Sequence, residues 1–131
     1  MRLLLDTHIA TWLILDHSLL RSEELQLIRL SDHEISLSAI SVWELRLKWN
    51  SFHISGVRKG PIDPIKALGL FRRLGLPIID LESDIMATPL QHPIAHKDPF
   101  DELLLVQAQE LGMKLLTRDG DLKDHPLAHF A

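Results

Sequence analysis

Short apolar runs alternate along the chain with segments that have the apolar spacing of helices. Four runs have the length and composition of buried strands, at residues 2–5, 35–38, 77–81 and 113–117, and the tail has a candidate for a small edge strand at 127–130. Helices are predicted between them, at residues 9–15, 22–30, 41–49, 64–74, 83 to about 89, and 99–111. This alternation is typical of a parallel sheet covered on both faces. We therefore predict a three-layer α/β/α sandwich around a central, mainly parallel sheet of four to five strands.

The start of the last predicted helix carries two carboxylates. Asp98 suits the N-cap, Pro99 suits the first helical position, and Gly112 suits the residue just past the end. Asp101 falls in the first turn, where the helix dipole favours negative charge. Each acid alone has a structural explanation, so a functional role depends on where the other acids lie.

Composition narrows the possible functions. The chain has 131 residues, which fits a single domain at residues 1–131 with a substantial core. Without Cys it has no disulfide or thiolate chemistry, which suits a reducing cytoplasm, and no segment predicts a signal peptide or membrane helix. The net charge of −4 argues against a general surface for polyanions. Nucleic-acid binding would need a local basic patch or bound metal ions.

Four acids are predicted to meet at one edge of the sheet. Asp6 follows the first strand, and Asp119 follows the last long one. Glu44 and Asp101 lie in the first turns of helices that begin at this edge, and Ser41 with Glu44 forms a capping-box pattern. Each acid alone could serve a turn or a cap. Together they would repel one another unless cations or protons were bound, and carboxylates without Cys suit Mg²⁺ or Mn²⁺.

Four sequence motifs together resemble those of PIN-domain proteins. They are LLLDTH at 3–8, ISVWEL at 40–45, HKDPFDELL at 96–104 and LLTRD at 115–119. They follow the order of the family and span nearly the whole chain. They are most like the motifs of VapC-type toxins from bacterial type II toxin–antitoxin systems.

The resemblance implies a metal-dependent endoribonuclease. In this family, water activated by bound Mg²⁺ or Mn²⁺ would hydrolyse RNA phosphodiester bonds. By the resemblance, the acids that would bind the metal are Asp6, Glu44, Asp101 and Asp119. Asp6 and Asp101 would be the most direct ligands.

Several neighbouring residues have supporting roles in this interpretation. Asp98 would cap its helix and support the site, and Asp121 would contact the metal through water or lie in a turn. The Thr117 hydroxyl would orient water or phosphate, unless it is an ordinary strand residue. Related toxins often have Arg where this chain has Glu102.

Possible partners follow from the cations and from the resemblance. Six basic residues are candidate contacts to RNA phosphates: Arg46, Lys48, Arg58, Lys59, Lys97 and Arg118. The alternative for each is that it is an ordinary surface cation in contact with water. The resemblance also implies a small antitoxin that blocks the acidic cleft, a homodimer and a cytoplasmic location.

Two other functions stay open from the sequence. One is another α/β phosphate-transfer enzyme, either a phosphatase or a receiver-like domain. A haloacid-dehalogenase-like phosphatase would need a second Asp two residues after Asp6, where this chain has His8. The other is a PIN-fold binding module without catalytic activity, which Glu102 leaves open.

Overall fold

A computed structural model describes residues 1–30, 32–96 and 98–131. These ranges contain five strands, at Arg2–Leu5 (β1), Glu34–Ser38 (β2), Ile78–Ile79 (β3), Lys114–Leu116 (β4) and Ala128–His129 (β5). They also contain six α-helices, at Thr7–Leu15 (α1), Ser22–Arg29 (α2), Ala39–Trp49 (α3), Pro64–Arg73 (α4), Ser83–Met86 (α5) and Pro99–Leu111 (α6). Lys97, a predicted RNA contact, lies outside the described residues.

The five strands form one parallel sheet in the order β3-β2-β1-β4-β5. The central strand, β1, pairs with β2 on one side and with β4 on the other. Its residues Leu3, Leu4 and Leu5 are fully buried, which explains why this strand is a continuous apolar run in the sequence. The predicted sandwich is confirmed, including the small strand predicted at 127–130.

Alternate side chains of β1 point into two separate cores. Leu3 and Leu5 pack with Phe71 of α4 on one face of the sheet. Leu4 packs with Leu104 of α6 on the other face. Helices therefore cover both faces, which gives the three layers. No helix in the described part of the chain combines the length and the apolar character needed to cross a membrane.

The helix that carries Glu44 begins earlier than the sequence predicts. Its N-cap is Ser38, whose Oγ accepts a hydrogen bond of 3.1 Å from the Ile40 N–H. Ser41 lies inside the helix, and its Oγ accepts a hydrogen bond of 2.8 Å from the Thr7 hydroxyl. The predicted capping box of Ser41 and Glu44 is therefore wrong. Glu44 lies in the second turn and not in the first.

A buried ion pair joins the loop after β4 to α2. Glu24 is 1% exposed, and its carboxylate accepts hydrogen bonds from Nε of Arg118, at 3.1 Å, and from Nη2. Nη2 also donates to the Leu19 carbonyl at 2.8 Å, and the guanidinium lies 4.6 Å from the centroid of the Trp12 ring. Burial favours a higher pKa for Glu24, but the hydrogen bonds from Arg118 and from the Arg21 backbone lower that pKa. The charge of Arg118 is thus paired with a buried carboxylate, and its contact with RNA phosphate stays a prediction.

Replacing Arg118 by Met should lower the free energy of unfolding by about 3 kcal/mol, because the buried Glu24 carboxylate loses its partner. The double variant Arg118→Met/Glu24→Leu should recover most of this loss, since no charge then stays buried. Urea denaturation measures both effects, with Arg29→Met in the last turn of α2 as the control. A loss no larger than that of the control would contradict the structural role of the pair.

Candidate metal centre

Asp6 lies at the carboxyl end of the central strand and is not used as a helix cap. Its backbone N–H donates to the Leu116 carbonyl at 2.9 Å, which extends the pairing of β1 with β4 to this residue. It occupies the N-cap position of α1, yet its side chain accepts no capping hydrogen bond. Its Oδ2 instead accepts a hydrogen bond of 2.6 Å from the buried hydroxyl of Thr117. A hydroxyl at the end of a neighbouring strand therefore orients this carboxylate.

Thr117 connects two of the four predicted acids. The hydroxyl oxygen that donates its proton to Asp6 also accepts a hydrogen bond of 3.0 Å from the Asp119 N–H. Asp119 in turn accepts, through Oδ1, a hydrogen bond of 2.9 Å from the Asp121 N–H. Asp121 is exposed, and its water-mediated metal contact stays a prediction. The loop after β4 is therefore fixed to the end of β1 by a single hydroxyl.

The two acids at the start of α6 have different roles. Asp98 is the N-cap, because its Oδ1 accepts hydrogen bonds from the Phe100 N–H at 2.9 Å and the Asp101 N–H at 3.3 Å. The Asp101 side chain, 7% exposed, has its Oδ2 at 2.9 Å from Nε2 of His96. Gly112 closes the helix with a φ of 66°, the left-handed conformation that glycine adopts most readily. The capping roles of Asp98 and Gly112 are confirmed, and the Asp101 carboxylate faces the rim of the sheet.

Three possible ligand atoms converge at this rim. They are a ring nitrogen of His96 and one carboxylate oxygen each from Asp101 and Asp119, all within 4.8 Å of one another. Divalent cations accept carboxylate oxygen, and several also accept imidazole nitrogen. The donor set therefore fits the kind of ion predicted from the sequence.

His96 is absent from the site residues predicted from the sequence. Its proximity in sequence to Asp98 and Asp101 was the available signal, since all three belong to the HKDPFDELL motif at 96–104. It precedes the helix, where no periodicity indicates which way a side chain points. Only the path of the chain into α6 brings its ring onto Asp101.

Burial raises the pKa of Asp101 to about 6. The hydrogen bond with His96 opposes this rise, while the negative charges of Asp6, Asp98 and Asp119 add to it. The same hydrogen bond raises the pKa of His96. This part of the rim therefore concentrates negative charge in a place where water screens it poorly.

Asp6 and Glu44 flank the His96–Asp101–Asp119 cluster. Burial raises the pKa of Asp6, the hydrogen bond from Thr117 lowers it, and the charge of Glu44 adds a smaller rise. Glu44 also forms an ion pair of 3.1 Å with Lys48, one turn further along α3. The four predicted ligands thus lie at one edge of the sheet. Asp101 and Asp119 converge, whereas Asp6 and Glu44 lie beside them.

The other predicted RNA contacts differ in whether the charged group already makes contacts within the protein. Arg46 and Lys59 are exposed. The guanidinium of Arg58 lies 4.3 Å from the centroid of the Trp49 ring and 4.8 Å from that of Phe52, and it donates to the Trp49 carbonyl. Arg58 therefore stabilises the segment after α3, while Arg46 and Lys59 are available to a phosphate.

Replacing Asp101 by Asn should stabilise the metal-free protein at neutral pH. The folded-state pKa of about 6 exceeds the ordinary value of 3.8, so the folded protein binds more protons between these values and loses stability as pH rises through them. Above this window the loss is about 1 kcal/mol after solvent screening is discounted. The variant lacks this loss.

Thermal denaturation with EDTA tests this prediction at pH values above and below the window. The gain in Tm for Asp101→Asn should be present at neutral pH and vanish below about pH 4. Asp84→Asn, in the first turn of α5, is the control. An equal change in Tm at both pH values would contradict the prediction.

Comparison with known proteins identifies the family. No curated protein sequence matches the chain. Among solved structures, the fold is similar to a chain in the crystal structure of VapBC2 from Rickettsia felis bound to a DNA fragment from their promoter, with a TM-score of 0.63. That match has 20% sequence identity and covers 100% of this chain and 98% of the other. The family model of the PIN domain matches residues 3–126, and the chain therefore belongs to the PIN domain family.

Proposed function

We propose that this protein is a divalent-metal-dependent endoribonuclease and the toxin of a type II toxin–antitoxin pair, of the VapC type. The observation that carries the proposal is the acidic rim, where Asp101 and Asp119 converge and Thr117 holds Asp6 beside them. Membership of the PIN domain family supports the same function.

Asp101 and Asp119 would hold the ion, with Asp6 and Glu44 contributing from the flank. Their carboxylate oxygens suit Mg²⁺ or Mn²⁺. A bound divalent ion supplies Lewis acidity, which polarises a phosphodiester and activates water for its hydrolysis. Lys48 balances part of the charge of Glu44.

Two further residues fix the direction of these ligands. Thr117 orients Asp6 through its hydroxyl and Asp119 through the Asp119 N–H. Asp98 fixes the first turn of α6, from which Asp101 projects. Such support around a ligand sets how well it can bind a metal.

The RNA substrate would reach the rim through a cleft of about 360 Å³ that Asp6, Asp119 and Trp12 help to line. The net charge of −4 opposes the approach of a polyanion. Bound cations, together with the exposed side chains of Arg46 and Lys59, would offset the repulsion of the phosphates.

A small antitoxin is the partner in this proposal, which is supported by the similarity of the fold to a chain in the structure of VapBC2. Exposed apolar side chains on α3 and α4, among them Trp43, Leu47 and Ile65, provide surface for the antitoxin or for a second copy in a homodimer. The proposed location is the cytoplasm, where the RNA substrate is.

Asp6→Asn and Asp101→Asn should each lower the rate of RNA cleavage by at least about 100-fold, because each removes negative charge and an anionic ligand from the rim. Cleavage of single-stranded RNA by purified protein with Mn²⁺ or Mg²⁺ measures the rate, and EDTA should stop the reaction. Expression of the wild-type toxin should arrest the growth of the host cell, and expression of either variant should not.

The matched control is Asp84→Asn, an exposed acid distant in sequence from the rim residues, and circular dichroism checks that each variant folds. Unchanged cleavage in both rim variants would overturn the proposal. Metal binding by a wild-type protein that cuts no RNA would favour the alternative of a PIN-fold binding module. Sequencing RNA 5′ ends after expression would locate the cleavage sites.

Replacing Thr117 by Val keeps the shape of the side chain but removes both of its hydrogen bonds, to the Asp6 carboxylate and from the Asp119 N–H. Affinity for Mn²⁺ should fall about tenfold, because the carboxylate loses the group that orients it. Calorimetric titration measures the affinity, and Thr88→Val is the control, since Thr88 donates to an exposed backbone carbonyl at Asp84. Equal affinities in the wild type and Thr117→Val would show that Asp6 needs no such support.

A further inference from the structure

His96 lies against the proposed metal ligands, although the acidic quartet does not include it. Its Nε2 is 2.9 Å from Oδ2 of Asp101, and the same ring belongs to the group whose ligand atoms lie within 4.8 Å of one another. The third member of that group is Asp119. The rim therefore offers a nitrogen donor as well as oxygen donors.

The other ring nitrogen is not available to an ion. Nδ1 of His96 is buried and has no hydrogen-bond partner among the described residues. The side chain as a whole is 25% exposed. Nε2 is the ring nitrogen that lies against the Asp101 carboxylate.

The spacing of these atoms suits shared coordination. Two donors bound at right angles to one ion, at about 2.1 Å each, lie about 3 Å apart, and two donors on opposite sides lie a little over 4 Å apart. The separation of 2.9 Å between Nε2 of His96 and Oδ2 of Asp101 matches the first of these spacings, and the ligand atom of Asp119 lies within 4.8 Å of the other two residues' ligand atoms. A hydrogen bond between Nε2 of His96 and Oδ2 of Asp101 has the same length.

We propose that Nε2 of His96 is a metal ligand, so that the centre has mixed nitrogen and oxygen coordination and prefers Mn²⁺ to Mg²⁺. This inference rests on the proposed metal-dependent function. Mg²⁺ strongly prefers oxygen ligands, whereas Mn²⁺ and the later divalent metals accept imidazole as well. The competing role for His96 is to orient Asp101 through a hydrogen bond alone.

Electron spin echo envelope modulation of Mn²⁺ bound to the full chain separates these two roles. Wild-type protein should show modulation from a directly coordinated ¹⁴N, and incorporation of ¹⁵N-histidine should replace it with the ¹⁵N pattern. This measurement on the wild-type protein needs no substitution, so it does not depend on whether a variant folds. Modulation that lacks a coordinated nitrogen would overturn the proposal.

Substitution then assigns the nitrogen to one residue. His96→Gln should lose the nitrogen signal, and its ratio of Mn²⁺ to Mg²⁺ affinity should fall about tenfold. His8→Gln is the matched control, because His8 is near enough for its charge to act on Asp6 at the same rim, and it should keep both the signal and the affinity ratio. A signal that survives in His96→Gln, or disappears in His8→Gln, would overturn the assignment.

The outcomes also separate this inference from the proposed function. Mn²⁺ bound at the rim without nitrogen coupling leaves the metal-dependent nuclease in place and removes only the role of His96. Absence of Mn²⁺ binding by the wild-type protein overturns both.

Discussion

The pairing of β1 with strands on both sides is the constraint on which the site depends. Because the sheet is parallel throughout, the carboxyl ends of β1 and β4 lie at the same edge. The hydrogen bond from the Asp6 N–H to the Leu116 carbonyl fixes the register at that edge. A slip by one residue would turn Leu4 toward the wrong core and would move Asp6 away from Thr117.

The same arrangement places charges where they oppose folding. Burial raises the pKa of both Asp6 and Asp101, so each carboxylate is less stable in its charged form than it would be in water. Hydrogen bonds from Thr117 and His96 compensate for part of this effect. An acidic cluster at this edge does not contribute to stability by itself, whereas a bound cation would offset the repulsion between its carboxylates.

Much of the fold could be predicted because its strands are short, apolar and buried on both faces. The same is true of α6, since Asp98, Pro99 and Gly112 mark both of its ends. The prediction of a capping box at Ser41 was wrong because Ser38, three residues earlier, is the N-cap of the helix. The Ser41 hydroxyl accepts a hydrogen bond from Thr7 instead. Sequence spacing cannot choose between two competing caps when tertiary contacts decide.

The candidate site was predictable only in part. The positions of Asp6 and Asp119 at strand ends follow from the topology, which the alternation of strands and helices predicts. The positions of His96 and Arg118 depend on side chains that turn back toward distant parts of the chain. His96 contacts Asp101, and Arg118 binds Glu24 in α2. No local pattern in the sequence encodes such contacts.

A crystal of the protein soaked in Mn²⁺, with anomalous scattering used to locate the ion, would test most directly whether the acidic rim binds a metal. An anomalous peak is expected at the rim, within ligand distance of the Asp101 and Asp119 carboxylates. Ordered Mn²⁺ that binds only elsewhere, with those carboxylates unliganded, would contradict the claim that the acidic rim is a metal centre.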